Sequence, residues 1–138
     1  MPTLNHTVYI VEDDRSLVES LRRLLEFAGF AVEDFTDPEA FWQRLHQQLP
    51  ALIILDAYIG AMDGRLLCQL LKRQPATQSI PIVLMTGSVN APDAAQYGAD
   101  QILTKPFAVP ELLDLVRRLV PGRDPNPSDV SSLPGVNS

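Results

Sequence analysis

Five short apolar runs punctuate the chain: TVYIV (7–11), AVEDF (31–35), ALIIL (51–55), IPIVLM (80–85) and DQILT (100–104). The first, third and fourth are nearly continuous in Val, Ile and Leu, the pattern of strands covered on both faces in a parallel sheet. Amphipathic segments separate them. Over residues 15–28, Leu17, Leu21, Leu24, Leu25 and Ala28 follow helical spacing, and Gly29 is placed to end that helix. Residues 38–48 and 64–73 read as a second and a third helix, and Pro110–Val120 repeats the pattern with Leu112, Leu115, Val116 and Leu119. Strand and helix therefore alternate about five times, which predicts an α/β domain with a parallel sheet and right-handed crossovers.

After Val120 the texture changes to PGRDPNPSDVSSLPGVNS, rich in Pro, Ser, Asn and Gly. Such a segment cannot bury enough apolar surface to offset its ordering entropy. The expected organisation is one domain over residues 1–120 and a flexible Pro/Ser-rich tail or linker over 121–138, either a natural end or a connection to a missing effector domain.

Composition narrows the classes. A chain of 138 residues with 46% hydrophobic and 20% charged residues can build a real core, which excludes disorder throughout. The formal net charge of -6, with no compensating cluster of Lys or Arg, offers nothing to a phosphate backbone and argues against direct nucleic-acid binding. Cys68 is the single cysteine, so no disulfide framework can form; within GRLLCQLLKR it reads as a small buried apolar residue. No leader pattern opens the chain, and no segment approaches the roughly 18 apolar residues of a membrane span. The expectation is a cytoplasmic protein with no membrane partner.

The polar residues at strand ends belong together, because the C-terminal ends of parallel strands share one edge and ligands bind in the crevice outside it. Glu12, Asp13 and Asp14 follow the first run, Asp56 the third, Thr86 and Gly87 the fourth, and Lys105 and Pro106 the fifth. Taken singly, each has an ordinary reading as solvated loop, turn or helix cap. Taken together, clustered carboxylates favour a hard divalent cation, and Mg²⁺ binds through one or two carboxylates while accepting phosphate oxygens. Asp56, directly after LIIL, stands where a carboxylate can attack phosphorus. Lys105 supplies a positive charge for one phosphoryl oxygen and Thr86 a hydroxyl for another. The convergence describes a phosphoryl site.

With VEDD, LD followed by MDG, MTG, and GADQILTKPF in this order, residues 7 to about 120 resemble the receiver domain of two-component response regulators. The resemblance implies a flavodoxin-like, doubly wound, five-stranded parallel sheet in the order 2-1-3-4-5, flanked by five helices. It implies that Asp56 accepts a phosphoryl group from the phosphohistidine of a sensor histidine kinase or histidine phosphotransfer protein. Asp13, Asp56 and the backbone carbonyl of Tyr58 would ligate Mg²⁺, Glu12 would act through a metal-bound water, and Asp14 would be peripheral. Thr86 and Lys105 would hold phosphoryl oxygens, the Lys105–Pro106 bond would be cis, and Gly87 would leave room for the phosphoryl group. Such a domain is a phosphoacceptor switch rather than an enzyme, although it assists its own phosphorylation and dephosphorylation. Its output would pass to a downstream protein partner, an effector domain or a phosphorylation-dependent homodimer.

Three positions depart from the family pattern. Gly60 stands four residues after the acceptor, where Pro is usual, which predicts a looser loop. Ile102 replaces the aromatic residue usual three positions before Lys105, removing the ring whose rotation follows the threonine. The interval from Thr86 to Lys105 is short by about three residues, just under one helical turn, so the fourth helix is expected to be stubby, over Pro92–Tyr97. His6 and His46 have no ligand-spaced partners and read as solvated or capping residues, Trp42 as helix packing, Asp63 as a turn before Gly64, and RRLV (117–120) as a solvated face. Two other functions compete. A haloacid-dehalogenase-like phosphatase would need a second acid two residues after the nucleophile, where Tyr58 stands. A phosphorylation-independent interaction module would fit Ile102 and the short fourth helix, but not the retained acidic site, Thr86 and Lys105.

Overall fold

A computed structural model describes residues 6–87 and 96–120. Five strands, β1 (Thr7–Val11), β2 (Ala31–Phe35), β3 (Leu52–Asp56), β6 (Ile82–Thr86) and β7 (Gln101–Thr104), form one sheet in the order β2-β1-β3-β6-β7. All four pairings are parallel. Counting only these strands, the order is the expected 2-1-3-4-5. Every residue of β1, β3 and β6 is buried, which is why these three runs are nearly continuous in branched apolar residues.

Successive residues along each strand point to opposite faces, and the core divides accordingly. Val8, Ile10, Leu52, Ile54, Val83 and Met85 meet α1 (Arg15–Phe27) and α4 (Val109–Leu119) on one face. Tyr9, Val11, Ile53, Leu55, Ile82 and Leu84 meet α2 (Pro38–Leu45) and α3 (Gly64–Arg73) on the other, with Cys68 and Leu71 buried among them. Each fully buried Leu or Ile here stabilises the fold by roughly 1.5–3 kcal/mol through burial alone.

Helix boundaries follow local chemistry. Asp14 caps α1, its side chain accepting from the Leu17 N–H, and Asp37 caps α2, with Pro38 in the first turn where it displaces no helical donor. α2 stops at Leu45 instead of running to residue 48, with His46 as its C-cap. The buried stripe of α1 is Val18, Leu21 and Leu25, so Val18 joins the set read from sequence while Leu17 and Leu24 are only partly buried. β2 is an edge strand, and its charged residues are tied down: Arg44 grips Glu33 through two bonds of 2.8 and 3.0 Å, and Arg15 and Arg22 both reach Asp34.

The helix expected over Pro92–Tyr97 falls mainly on residues 88–95, outside the described residues; residues 96–98 form a turn. The tail over 121–138 also lies outside them. Four helices therefore flank the sheet among the described residues. Two elements were not anticipated: β4 (Tyr58–Ile59) and β5 (Met62–Asp63) pair antiparallel just after β3.

Candidate functional site

The four strand ends meet as the topology requires. Glu12 follows β1 and donates its backbone N–H to the Phe35 carbonyl, which extends the pairing with β2 by one residue and carries the side chain inward, where it is only 1% exposed. Asp56 closes β3 and is 7% exposed; Thr86 closes β6 and is also buried. Lys105 follows β7, donates its backbone N–H to the Thr86 carbonyl at 2.7 Å, and precedes a cis bond to Pro106.

The Lys105 ammonium spans two strand ends, donating to Glu12 Oε1 at 3.1 Å and to Asp56 Oδ2 at 3.2 Å. The other Glu12 oxygen accepts the Asp14 N–H at 3.0 Å, and Asp56 Oδ1 accepts the Tyr58 N–H at 3.3 Å. Asp13 Oδ2 accepts the Gly60 N–H at 2.9 Å. Glu12, Asp13 and Asp56 each present a carboxylate oxygen within 4.8 Å of the others. Asp14 stands outside this cluster as the cap of α1.

Electrostatics matches the geometry. Burial, reinforced by the neighbouring Asp56, pushes the Glu12 carboxyl up to about 7 although the Asp14 N–H and Lys105 pull the other way. Burial opposes the charge on Lys105, but its bonds and attraction to Glu12 and Asp56 outweigh that, and its pKa is raised. Three carboxylates and one ammonium leave two negative charges uncompensated when all are ionised. Two buried acids and one exposed acid with an excess charge of this size form an oxygen donor set suited to a hard divalent cation. The residues present fit Mg²⁺.

Other expected residues fall where their chemistry suggests, with some revisions. Tyr58 donates its backbone N–H to Asp56, and the residue is 57% exposed. A Cβ at Gly87 would meet no atom of the described residues within 4 Å. The loop after Asp56 closes into a hairpin where a looser segment was expected. Gly60 takes a positive φ of 59° at its two-residue turn and lends its N–H to Asp13; a proline there could do neither. Asp63 does more than turn the chain, since it caps α3 and holds Arg65 through a two-point bond. Ile102 packs partly buried against the α2/α3 side of the core, as does Trp42. His46 Nδ1 lies 2.9 Å from the Trp42 carbonyl, a capping role.

Three residues escaped the sequence reading. Asp14 as a cap was legible from its place just before an amphipathic run. Gly64 and Arg65 were not, because their importance lies in contacts with other segments: a Cβ at Gly64 would stand 1.8 Å from the Asp56 carbonyl oxygen.

A doubly wound sheet with a lysine bridging carboxylates at its C-terminal edge defines a class of domain, and comparison gives that class its family. Residues 8–117 match the response regulator receiver domain, and the chain belongs to this family of two-component signalling proteins. It is 33% identical over 129 residues to the phosphate regulon transcriptional regulatory protein PhoB of Rhizobium meliloti, covering 91% of this chain and 56% of that protein. It is 34% identical over 129 residues to the transcriptional regulatory protein FixJ of Bradyrhizobium diazoefficiens, covering 91% and 61%. The chain thus spans about half the length of these curated relatives. Among solved structures, a putative response regulator from Chloroflexus aurantiacus superposes with a TM-score of 0.79 at 33% identity, covering 83% of this chain and 97% of that one. The signal receiver domain of a histidine kinase from Syntrophus aciditrophicus gives 0.77 at 33% identity, covering 83% and 89%. Receiver domains bind Mg²⁺ at the acidic pocket. Among the described residues, no helix is long and apolar enough to cross a membrane.

Proposed function

We propose that this domain is a phosphoacceptor switch in which Asp56 takes a phosphoryl group from a phosphohistidine. The observation that carries the reading is the Lys105 ammonium lying between Asp56 and Glu12, with Asp13 alongside. Asp13, Asp56 and the Tyr58 carbonyl would hold Mg²⁺, and Glu12 would assist through a water. The cation would supply charge neutralisation at the phosphoryl oxygens. An Asp56 carboxylate oxygen attacks phosphorus, a P–O bond forms, and the P–N bond breaks as the imidazole leaves and takes a proton from solvent. Lys105 then pairs with one phosphoryl oxygen while the Thr86 hydroxyl donates to another, and Gly87 leaves the space open. The same groups serve dephosphorylation, when water attacks the phosphorus of the acyl phosphate.

The donor is a sensor histidine kinase or a histidine phosphotransfer protein. The domain occupies residues 1–120 and the remaining residues act as tail or linker. PhoB and FixJ are by name transcriptional regulators, which supports a place for this domain as the receiving part of a longer regulator. With the chain's net charge of -6, the domain leaves any nucleic-acid contact to an effector domain or another chain, and works in the cytoplasm. A phosphorylation-dependent homodimer is the further route of output. Ile102, in place of a ring, favours a second reading as a phosphorylation-independent interaction module. Incubation with acetyl phosphate and Mg²⁺, followed by intact mass, separates them. We expect a labile gain of one phosphoryl group in the wild type and none in Asp56→Asn. No gain in the wild type at any Mg²⁺ concentration sinks the switch and leaves the module.

A further inference from the structure

Arg65 stands in the first turn of α3, outside the acidic cluster, yet it touches both segments that flank the site. Its Nε and Nη2 donate to the two Asp63 carboxylate oxygens at 3.0 and 2.9 Å, a fork that fixes the plane of the guanidinium. The same Asp63 accepts the Arg65 backbone N–H at 2.9 Å, so one carboxylate both caps the helix and aims the side chain. The guanidinium carbon lies 5.5 Å from the centre of the Tyr58 ring and 5.5 Å from that of the Tyr97 ring, within the range of cation–π attraction to both.

The two rings belong to different arms of the site. Tyr58 follows the acceptor by two residues, donates its N–H to Asp56, and pairs with Asp63 across the β4–β5 hairpin. Tyr97 lies in the connection that leaves Thr86 and returns as β7, the strand that delivers Lys105. That connection is attached to α3 a second time, seven residues along, where Lys72 pairs with Asp100 at 2.7 Å. Asp100 also accepts the Ile82 N–H at the start of β6. Through Arg65, the loop that follows the acceptor and the connection that follows Thr86 therefore share one contact point.

We infer that Arg65 is a positioning residue of the phosphoryl site: clamped by Asp63 between the Tyr58 and Tyr97 rings, it holds the Asp56–Tyr58 loop in its metal-binding geometry and makes the position of the 96–98 segment respond to that loop. The contact offers a mechanical link in a chain whose residue 102 carries no ring. The inference rests on the reading of Asp13, Asp56 and Tyr58 as the Mg²⁺ site, and its test separates the two.

The test is an NMR titration of ¹⁵N-labelled protein with Mg²⁺, following the amides of Gly60 in the hairpin and Gly98 in the β6–β7 connection. In the wild type both amides should shift along one binding curve. In Arg65→Ala the Gly60 amide still shifts, the Gly98 response falls away, and the Mg²⁺ dissociation constant rises about three- to tenfold, the scale of one or two partly exposed cation–π contacts. Arg65→Lys, which keeps a charge over the rings but not the fork, should restore part of the Gly98 response. Tyr97→Leu, on a turn outside the helix, should uncouple Gly98 with little change in affinity, and carries the test if Arg65→Ala fails to fold. A dissociation constant within twofold of wild type and an intact Gly98 response in Arg65→Ala and Tyr97→Leu overturn the inference. A wild type in which neither amide responds to Mg²⁺ overturns the metal-site reading itself, and this inference with it.

Discussion

Gly64 begins α3 against the Asp56 backbone, and adding one methyl group there tests how tightly the site is built into the fold. A Cβ at this position would lie 1.8 Å from the Asp56 carbonyl oxygen and 2.9 Å from its carbon. Both are backbone atoms and cannot swing aside as a side-chain tip can. To reach even a 3.0 Å contact, helix and strand end must separate by about 1.2 Å. That retreat stretches the 2.7 Å bond from the Gly64 N–H to the Ala57 carbonyl past hydrogen-bonding range. Overpacking of about 1–3 kcal/mol and a lost buried hydrogen bond of about 1 kcal/mol give a destabilisation of roughly 3 kcal/mol for Gly64→Ala. With a urea slope near 1.5 kcal/mol/M, the unfolding midpoint should fall by about 2 M. The molecules that remain folded carry Asp56 displaced by about an ångström, which should slow phosphorylation by acetyl phosphate by about 100-fold. Gly87→Ala is the control: its Cβ meets no described atom within 4 Å, so its midpoint should move by less than about 0.3 M. A Gly64→Ala protein with a wild-type midpoint and a wild-type phosphorylation rate would refute the reasoning.

Metal-free stability should fall between pH 5 and pH 8. The folded Glu12 holds its proton up to about 7 against an ordinary value of 4.5, so its contribution is full below that ordinary value and is lost as pH rises through about 7. The loss amounts to about 2–3 kcal/mol for this buried group; urea midpoints in EDTA would show it, Glu12→Gln should flatten the profile, and an unchanged profile in that variant counts against the assignment. Asp34 and Asp63, lowered by their arginine partners, act in the opposite sense and only as pH falls below their ordinary range. Lys105→Met removes a cation that shares Glu12 and Asp56, so calorimetry should show Mg²⁺ bound at least as tightly while phosphorylation and dephosphorylation both slow and the phosphorylated form, once made, becomes longer-lived; weaker Mg²⁺ binding would contradict this. Cys68 is fully buried, and burial pushes its thiol up to about 11. A disulfide reagent should therefore leave it untouched in the native protein and label it only on unfolding, and rapid native labelling would show that this face of the core opens.

Much of the fold was legible because it depends on short-range pattern. Val, Ile and Leu crowd β1, β3 and β6 since both faces of those strands are covered, and that texture is visible without knowing what covers them. The helix stripes were legible to within a residue or so, the error at Val18 being a rotation of the buried face that only the packing of α1 on the sheet could set. The gathering of Glu12, Asp13, Asp56, Thr86 and Lys105 followed from a single topological fact, that parallel strands end at one edge. The hairpin after Asp56 was not legible, because its two strands are two residues each and carry no periodicity.

The sequence by itself determined the alternation of strand and helix, the edge at which the chemistry collects, and the residue types brought there, since all three are set by local hydrophobic period and by which residues end each strand. Which atoms then meet was decided by the tertiary structure alone. Lys105 finds Glu12 from 93 positions away, the Gly60 N–H finds Asp13 from 47, and Arg65 settles between rings from two segments. Such contacts depend on sheet register, helix rotation and the direction of individual side chains, and these are fixed only when the whole core packs at once.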